Sequence, residues 1–255
     1  MRKAKSEIDL KAIIKANLLL NECFVDYPDE LDINEIALVK NCLVKESRLE
    51  GHTGRIVTTG KYAVITVDAR LDRGQKNFVK SHELGHKIFE ETISNFACNE
   101  EDLRERKKYN EALPNQFAAE LLMKRDWFFE FTTGKGINFR LLKEAANYFN
   151  TSLSSVCIRY SQLGDTPCAF IFTTGGKIKW KAIHHSFPYF CVNDKLSGLS
   201  YVKDYFETGT KYEEPQEVEA EAWFRNDMNY RDGAKLVEKS FYMPSYDSVL
   251  TMLKD

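Results

Sequence analysis

In residues 77–90, NFVKSHELGHKIFE, His82 and His86 lie four residues apart and Glu83 follows the first directly. On an α-helix, residues at that spacing share a face, offset by about 40°. Two imidazoles can then converge on one cation from adjacent turns. Zinc takes neutral histidine nitrogen readily, and a catalytic zinc keeps one of its four positions for water. Glu83 lies about 100° around the helix from His82, so its carboxylate can reach that water without becoming a ligand. Glu83 would accept a proton from the metal-acidified water and return it to a leaving amine. H-E-x-x-H is the pattern that metalloproteases use for this chemistry. The competing reading is a plain amphipathic helix in which Phe78, His82, His86 and Phe89 form one half-buried face. Gly85 costs about 1 kcal/mol relative to alanine inside a helix. Its presence predicts a close backbone approach, but it does not identify a metal.

Two histidines and a water leave zinc one protein ligand short. The stretch NEALPN offers Glu111, with Asn115 one turn on and on the same face. A carboxylate at 111 would complete a two-histidine, one-glutamate set, and Asn115 could hydrogen-bond a ligand from behind. Glu120 is the alternative, about 180° around the helix from Glu111, and only one of them can face the histidine helix. A helix dipole alone would also account for an acidic residue at 111. Pro114 suits a helix whose first turn it occupies.

The elements that must hold these residues follow from periodicity. EIDLKAIIKANLLLNECF and DINEIALVKNCLVKES carry apolar residues at helical spacing, with DYPDELD as the turn and cap between them. GRIVTTGKYAVITVDA, rich in β-branched residues, predicts a hairpin centred on Thr59-Gly60. The turn LDRGQ follows, and the histidine helix begins near Gln75. NEEDLRERKKY reads as a charged connector, and NEALPNQFAAELLMKRDWFFEF as a helix built from good helix formers. Two short helices in INFRLLKEAANYFNTSLSSVCIRYSQLGD are split by NTS, which ends one and caps the next, and Gly164 suits the stop. CAFIFTTGGKIKWKAIHHS predicts a second hairpin around Gly175-Gly176. The acidic run from Glu213 to Glu221 is expected as an exposed loop or helix face, and SVLTMLKD is a final apolar segment.

The pairing FVKSHELGH with NEALPNQFAAELLM resembles the ImmA/IrrE family of zinc metallopeptidases. That family shows H-E-x-G-H on one helix and a glutamate-bearing helix ending in a FAAELLM-like run. YAVITVDARLDRGQKNF looks like the family's strand and helix before the metal motif. LLKEAANYFNTSLSSVCIRYSQLG is similar to its helix-turn-helix-like segment, and EKSFYMPSYDSVLTML has its cadence. The resemblance covers most of residues 30–165 and, more loosely, the last ninety. Pro114 stands where alanine is usual, and Lys124 replaces a common proline. The resemblance implies His82, His86 and Glu111 as zinc ligands and Glu83 as general base. It also implies an intracellular endopeptidase whose substrate is a helix-turn-helix transcriptional repressor, cleavage of which releases the repressed genes. The expected fold class is α+β. Residues 1–135 would form a mostly helical zincin-like metallopeptidase core with a small antiparallel sheet, residues 136–165 a helix-turn-helix-like segment, and residues 166–255 a C-terminal α+β, sensor-like module.

Composition sets outer bounds. At 255 residues, 43% hydrophobic and 29% charged, the chain has the profile of an ordinary soluble globular protein. A net charge of −2 favours neither nucleic acid nor an acidic membrane. Six scattered cysteines without a C-x-x-C pair argue against a zinc ribbon, and a chain of this size has no need of a disulfide framework. Charges and Asn17 interrupt the basic N-terminus, which lacks the core of a signal peptide, so a cytoplasmic setting without a membrane span is expected. Between residues 124 and 160, six basic side chains face three acidic ones. This slight excess reads as a solvated or docking face in preference to a DNA contact. His184 and His185, on a strand, would point to opposite faces and not share an ion, which favours surface or interface histidines. One of them, or Tyr109, is a candidate to stabilise an oxyanion. Cys157 and Cys168 are expected as small buried hydrophobes. A regulator that has lost activity is the rival to the peptidase, and a structural zinc protein with a fourth protein ligand is a further one.

Overall fold

The computed structural model describes the backbone of residues 2–90 and 100–255, and side chains for 10–89 and 111–255. The chain divides into two compact units, Met1–Phe131 with Lys143–Ser155, and Thr132–Leu142 with Val156–Asp255. Secondary structure is mixed α+β, as the sequence predicts.

In the first unit, α1 (Arg2–Glu22) precedes α2 (Ile33–Val39), which Asp32 caps by accepting hydrogen bonds from the Asn34 and Glu35 N–H groups. The stretch predicted as one further helix through CLVKES changes state here. Asn41 adopts φ 56 and ends the helical path, and Cys42–Ser47 become strand β1. The apolar residues 42–44 pair with a neighbouring strand where helical spacing suggested a helix face. β2 (Gly54–Thr59) and β3 (Tyr62–Asp68) form the first hairpin. Thr59 pairs with Tyr62, so the turn is Gly60-Lys61, one residue later than predicted, because Gly60 supplies the φ of 58. The sheet order is β1-β3-β2, with β1 parallel and β2 antiparallel to β3. Among the described residues β2 therefore has a free edge in this sheet.

Next come α3 (Arg73–Glu90), α4 (Glu100–Leu122) and α5 (Arg125–Thr132). The charged connector expected before NEALPN is thus helical from Glu100 onward, and its good helix formers simply extend α4. Leu19, Leu20, Ile65, Leu84, Phe117, Leu121 and Phe128 are fully buried at the heart of this unit. α6 (Phe139–Tyr148) and α7 (Leu153–Leu163) are the two short helices split by NTS. Asn150 turns the chain with φ 48, and the Ser152 hydroxyl accepts from the Ser155 N–H.

The second unit contains β4 (Ala169–Thr174) and β5 (Lys177–Ile183), joined through Gly175-Gly176 as predicted. α8 (Tyr201–Thr208), β6 (Gln216–Glu219), α9 (Glu221–Phe224), β7 (Lys235–Met243) and β8 (Ser248–Lys254) follow. All pairings in the order β5-β4-β8-β7-β6 are antiparallel. Ile171, Val202, Trp223, Phe224, Leu236 and Leu253 belong to its core. The acidic run expected as loop or helix face includes strand β6, where Val218 is buried between exposed glutamates.

Candidate metal centre

α3 and α4 pack against each other, and the crossing is tight because one side of it has no side chain. A Cβ at Gly85 would lie 2.9 Å from Pro114 Cα, 3.1 Å from Pro114 Cβ and 3.2 Å from Phe117 Cδ1. The close approach that Gly85 implies is therefore to α4. Pro114 does not occupy the first turn of its helix. It lies well inside α4, where it lacks the N–H that would bond back one turn, and it fills the space Gly85 leaves. Phe89 on α3 meets Phe117 on α4 edge to face, with centroids 5.9 Å apart.

This crossing brings His82, His86 and Glu111 together, with one donor atom from each lying within 4.8 Å of the others. The two histidine Nε2 atoms are 3.1 Å apart. His82 Nε2 is 3.4 Å from Glu111 Oε2, and His86 Nε2 is 3.9 Å from Glu111 Oε1. Zinc bonds of about 2.0–2.2 Å in a tetrahedron set ligand atoms roughly 3.3–3.6 Å apart. The observed separations straddle that range, so the three residues could hold a metal ion. The Glu111 side chain is 61% exposed while the histidines are largely covered, which leaves the centre open on the glutamate side.

Two features suit His82 to such a role. Its Nδ1 lies 2.9 Å from Asn115 Oδ1. With the proton on Nδ1 donated to that oxygen, the Nε2 lone pair faces Glu111 and His86. Burial, and then the neighbouring His86, hold the His82 ring below its ordinary pKa and so favour the neutral form.

Glu83 is half-buried on the neighbouring face of α3. Burial, and then the Glu111 carboxylate, raise its carboxyl to about 7. A cation beside it would oppose that shift. Sequence reasoning missed Gly54, at the start of β2, which clears the space beside Glu83. A Cβ there would lie 2.3 Å from Val79 Cγ1 and 3.1 Å from Glu83 Oε1. Glycine at a strand start, where no turn needs it, was the available signal.

Glu120 lies apart from this group. It is fully buried, and its Oε1 accepts from the Arg125 N–H at the start of α5. The side chain of Tyr109 lies outside the described residues. His184 is buried, not a surface histidine, and β5 ends one residue before it, so strand alternation does not apply. Its Nδ1 accepts from the Ser186 N–H and its Nε2–H donates to the Gly164 carbonyl, while the His185 ring lies 4.2 Å away between centroids. Cys157 and Cys168 are buried, and burial pushes the Cys168 thiol up to about 12. Among the described residues no helix is long and apolar enough to cross a membrane.

The profile of the IrrE N-terminal-like domain, Peptidase_M78, matches residues 38–161. That span contains the strands of the first unit, both site helices, α6 and all but the last two residues of α7. No curated protein matches the chain. Among solved structures, a Mycobacterium tuberculosis transcriptional regulator is similar, with a TM-score of 0.62 and 17% identity. The match covers 98% of this chain and 76% of that one, and at this identity it shows a shared fold.

Proposed function

The chain carries a domain of the Peptidase_M78 family over residues 38–161, and on that premise we propose that it is a zinc-dependent endopeptidase working in the cytoplasm. Its substrate on this reading is a helix-turn-helix transcriptional repressor, whose cleavage releases the repressed genes. The observation that carries the proposal is the convergence of His82, His86 and Glu111 from two helices, with Glu83 one residue from the first ligand. Among the described residues, no donor sits on the Glu83 carboxylate, which is what a general base requires.

Zinc bound by His82, His86 and Glu111 would supply a Lewis acid for the scissile carbonyl and acidify a water. Asn115 fixes the His82 tautomer, so that Nε2 is available as a donor. Glu83 accepts the proton from the attacking water and delivers it to the departing amine nitrogen, which leaves as a neutral amine. The free edge of β2, beginning at Gly54 beside Glu83, can pair with an extended substrate segment. Residues 1–135 would do this chemistry, 136–165 would serve docking, and 166–255 would form a sensor-like module.

A second reading, an inactive DNA- or protein-binding regulator, draws on the similar structure being a transcriptional regulator. Glu83 speaks against it, since a decayed site has no use for the general base. Zinc-loaded protein incubated with helix-turn-helix repressors from the same genome should cut one of them at one or a few positions, and a chelator should stop the cleavage. Operator binding without proteolysis, or cleavage that survives chelation, would establish the regulator reading or another mechanism.

A further inference from the structure

A cavity of about 380 Å³ lies in the first unit between α1, the α2–β1 connection, the β2–β3 turn and α3. Four lysines line it, and each comes from a different one of those segments: Lys15, Lys40, Lys61 and Lys87. One carboxylate, Glu22, faces them, and it is already engaged by the Lys40 ammonium. Four cations against one anion leave a surplus of three positive charges around a single concavity. Lysines on a solvated face would spread apart, whereas these converge from segments distant in sequence.

Lys87 is the informative member. It is only 8% exposed, and among the described residues no carboxylate lies within ion-pair distance of it. Covering an ammonium costs free energy unless an anion or hydrogen-bond acceptor offsets it. Among the described residues, the floor of the cavity therefore presents an ammonium with no carboxylate to offset it, which suits an anionic ligand. Leu18 and Val39 add apolar surface to the same wall, which suits a ligand with a body as well as a charge. The volume is at the lower end of the ~300–1,000 Å³ usual for small-molecule sites. It is too small for a folded segment and adequate for a molecule of roughly mononucleotide size.

We propose that this cavity is a binding site for a small phosphorylated molecule, with its phosphate on Lys87 and its body against Leu18 and Val39. A phosphate dianion can accept hydrogen bonds from several ammonium groups at once, which a single carboxylate does less well. The site uses none of the metal-centre residues and does not depend on the peptidase reading.

Calorimetric titration of the full zinc-loaded chain with adenosine monophosphate tests it, with adenosine as the uncharged control. The nucleotide should bind one to one, adenosine should not, and the affinity should fall as sodium chloride screens the lysines. Lys87→Met should weaken binding about tenfold or more, the loss of one charge-assisted hydrogen bond. Lys61→Ser, on an exposed turn where folding is not at risk, should weaken it by a smaller factor and decides the matter if Lys87→Met does not fold. Glu111→Ala should leave nucleotide binding intact, which separates this site from phosphate on the metal. Absence of nucleotide binding, equal binding of adenosine, or unchanged binding in both lysine variants would overturn the proposal.

Discussion

Glu83 in the first unit and Glu238 in the second are both raised to about 7, and burial is the first cause in each. Their surroundings are nonetheless opposite. Glu238 is 2% exposed and its oxygens are occupied: Trp223 Nε1–H donates at 2.7 Å, Ser200 Oγ at 3.3 Å and the Val202 N–H at 3.2 Å. Glu83 is half-exposed, follows a candidate ligand, and has no donor on its carboxylate among the described residues. Burial raises one carboxyl although three donors on its oxygens pull the other way, and it raises the other with no donor on its oxygens among the described residues. A raised carboxyl alone does not mark a reacting group. Free carboxylate oxygens beside a candidate metal cluster distinguish the two.

Exchange of each glutamate for glutamine tests that distinction most directly. Glu83→Gln keeps shape but cannot take the water proton, so cleavage should fall about 10²–10⁴-fold with metal content preserved. Glu238→Gln should cleave normally at neutral pH. If both variants lose activity alike, or Glu83→Gln retains it, the distinction fails. A zinc titration probes the cluster itself. Glu111→Ala should lose affinity well beyond the 10–100-fold typical of outer hydrogen-bond partners, Asn115→Ala should fall within that range, and Glu120→Ala should retain metal. Zinc loss in Glu120→Ala with Glu111→Ala intact would reverse the ligand assignment.

A smaller effect separates the sealed glutamate by its pH signature. The folded pKa of Glu238 lies above its ordinary 4.5. Its contribution to stability is therefore fully present below pH 4.5 and is lost as pH rises to about 7. The shift is worth about 3 kcal/mol between those limits. Urea unfolding of Glu238→Gln should show a correspondingly flatter pH dependence, and an unchanged slope would place the titration elsewhere. The smallest effect concerns the helix crossing. Gly85→Ala would force α4 away from α3 and should cost about 1–3 kcal/mol in thermal unfolding, with weaker zinc binding as Glu111 recedes.

That His82, Glu83 and His86 share one helix, and Glu111 and Asn115 the next, was legible because a helix converts i, i+1 and i+4 spacing directly into geometry. The Gly175-Gly176 hairpin was legible because two consecutive positive φ angles are written into residue type. Where reading failed, a tertiary partner decided the outcome. Cys42–Ser47 became a strand because β3 offers it a parallel ladder, which apolar spacing in isolation cannot report. Pro114 looked like a helix start because its tolerance inside α4 depends on Gly85 of another helix. Gly54 went unnoticed because its neighbour Glu83 is distant in sequence.

The chain leaves the first unit at Phe131, returns for Lys143–Ser155 and leaves again. That returning piece is structural for α3: the Asn150 carbonyl accepts from Asn77 Nδ2 on α3, and a Cβ at Gly74 would collide with the Thr151 backbone at 2.5 Å. Phe149 also stacks on Phe128, with centroids 5.8 Å apart. During synthesis on a ribosome, the N-terminal unit therefore cannot finish folding until residue 155 has emerged, although His82, His86 and Glu111 are made long before. A truncation at Phe131 would keep every donor and lose the clamp on the helix that aims two of them.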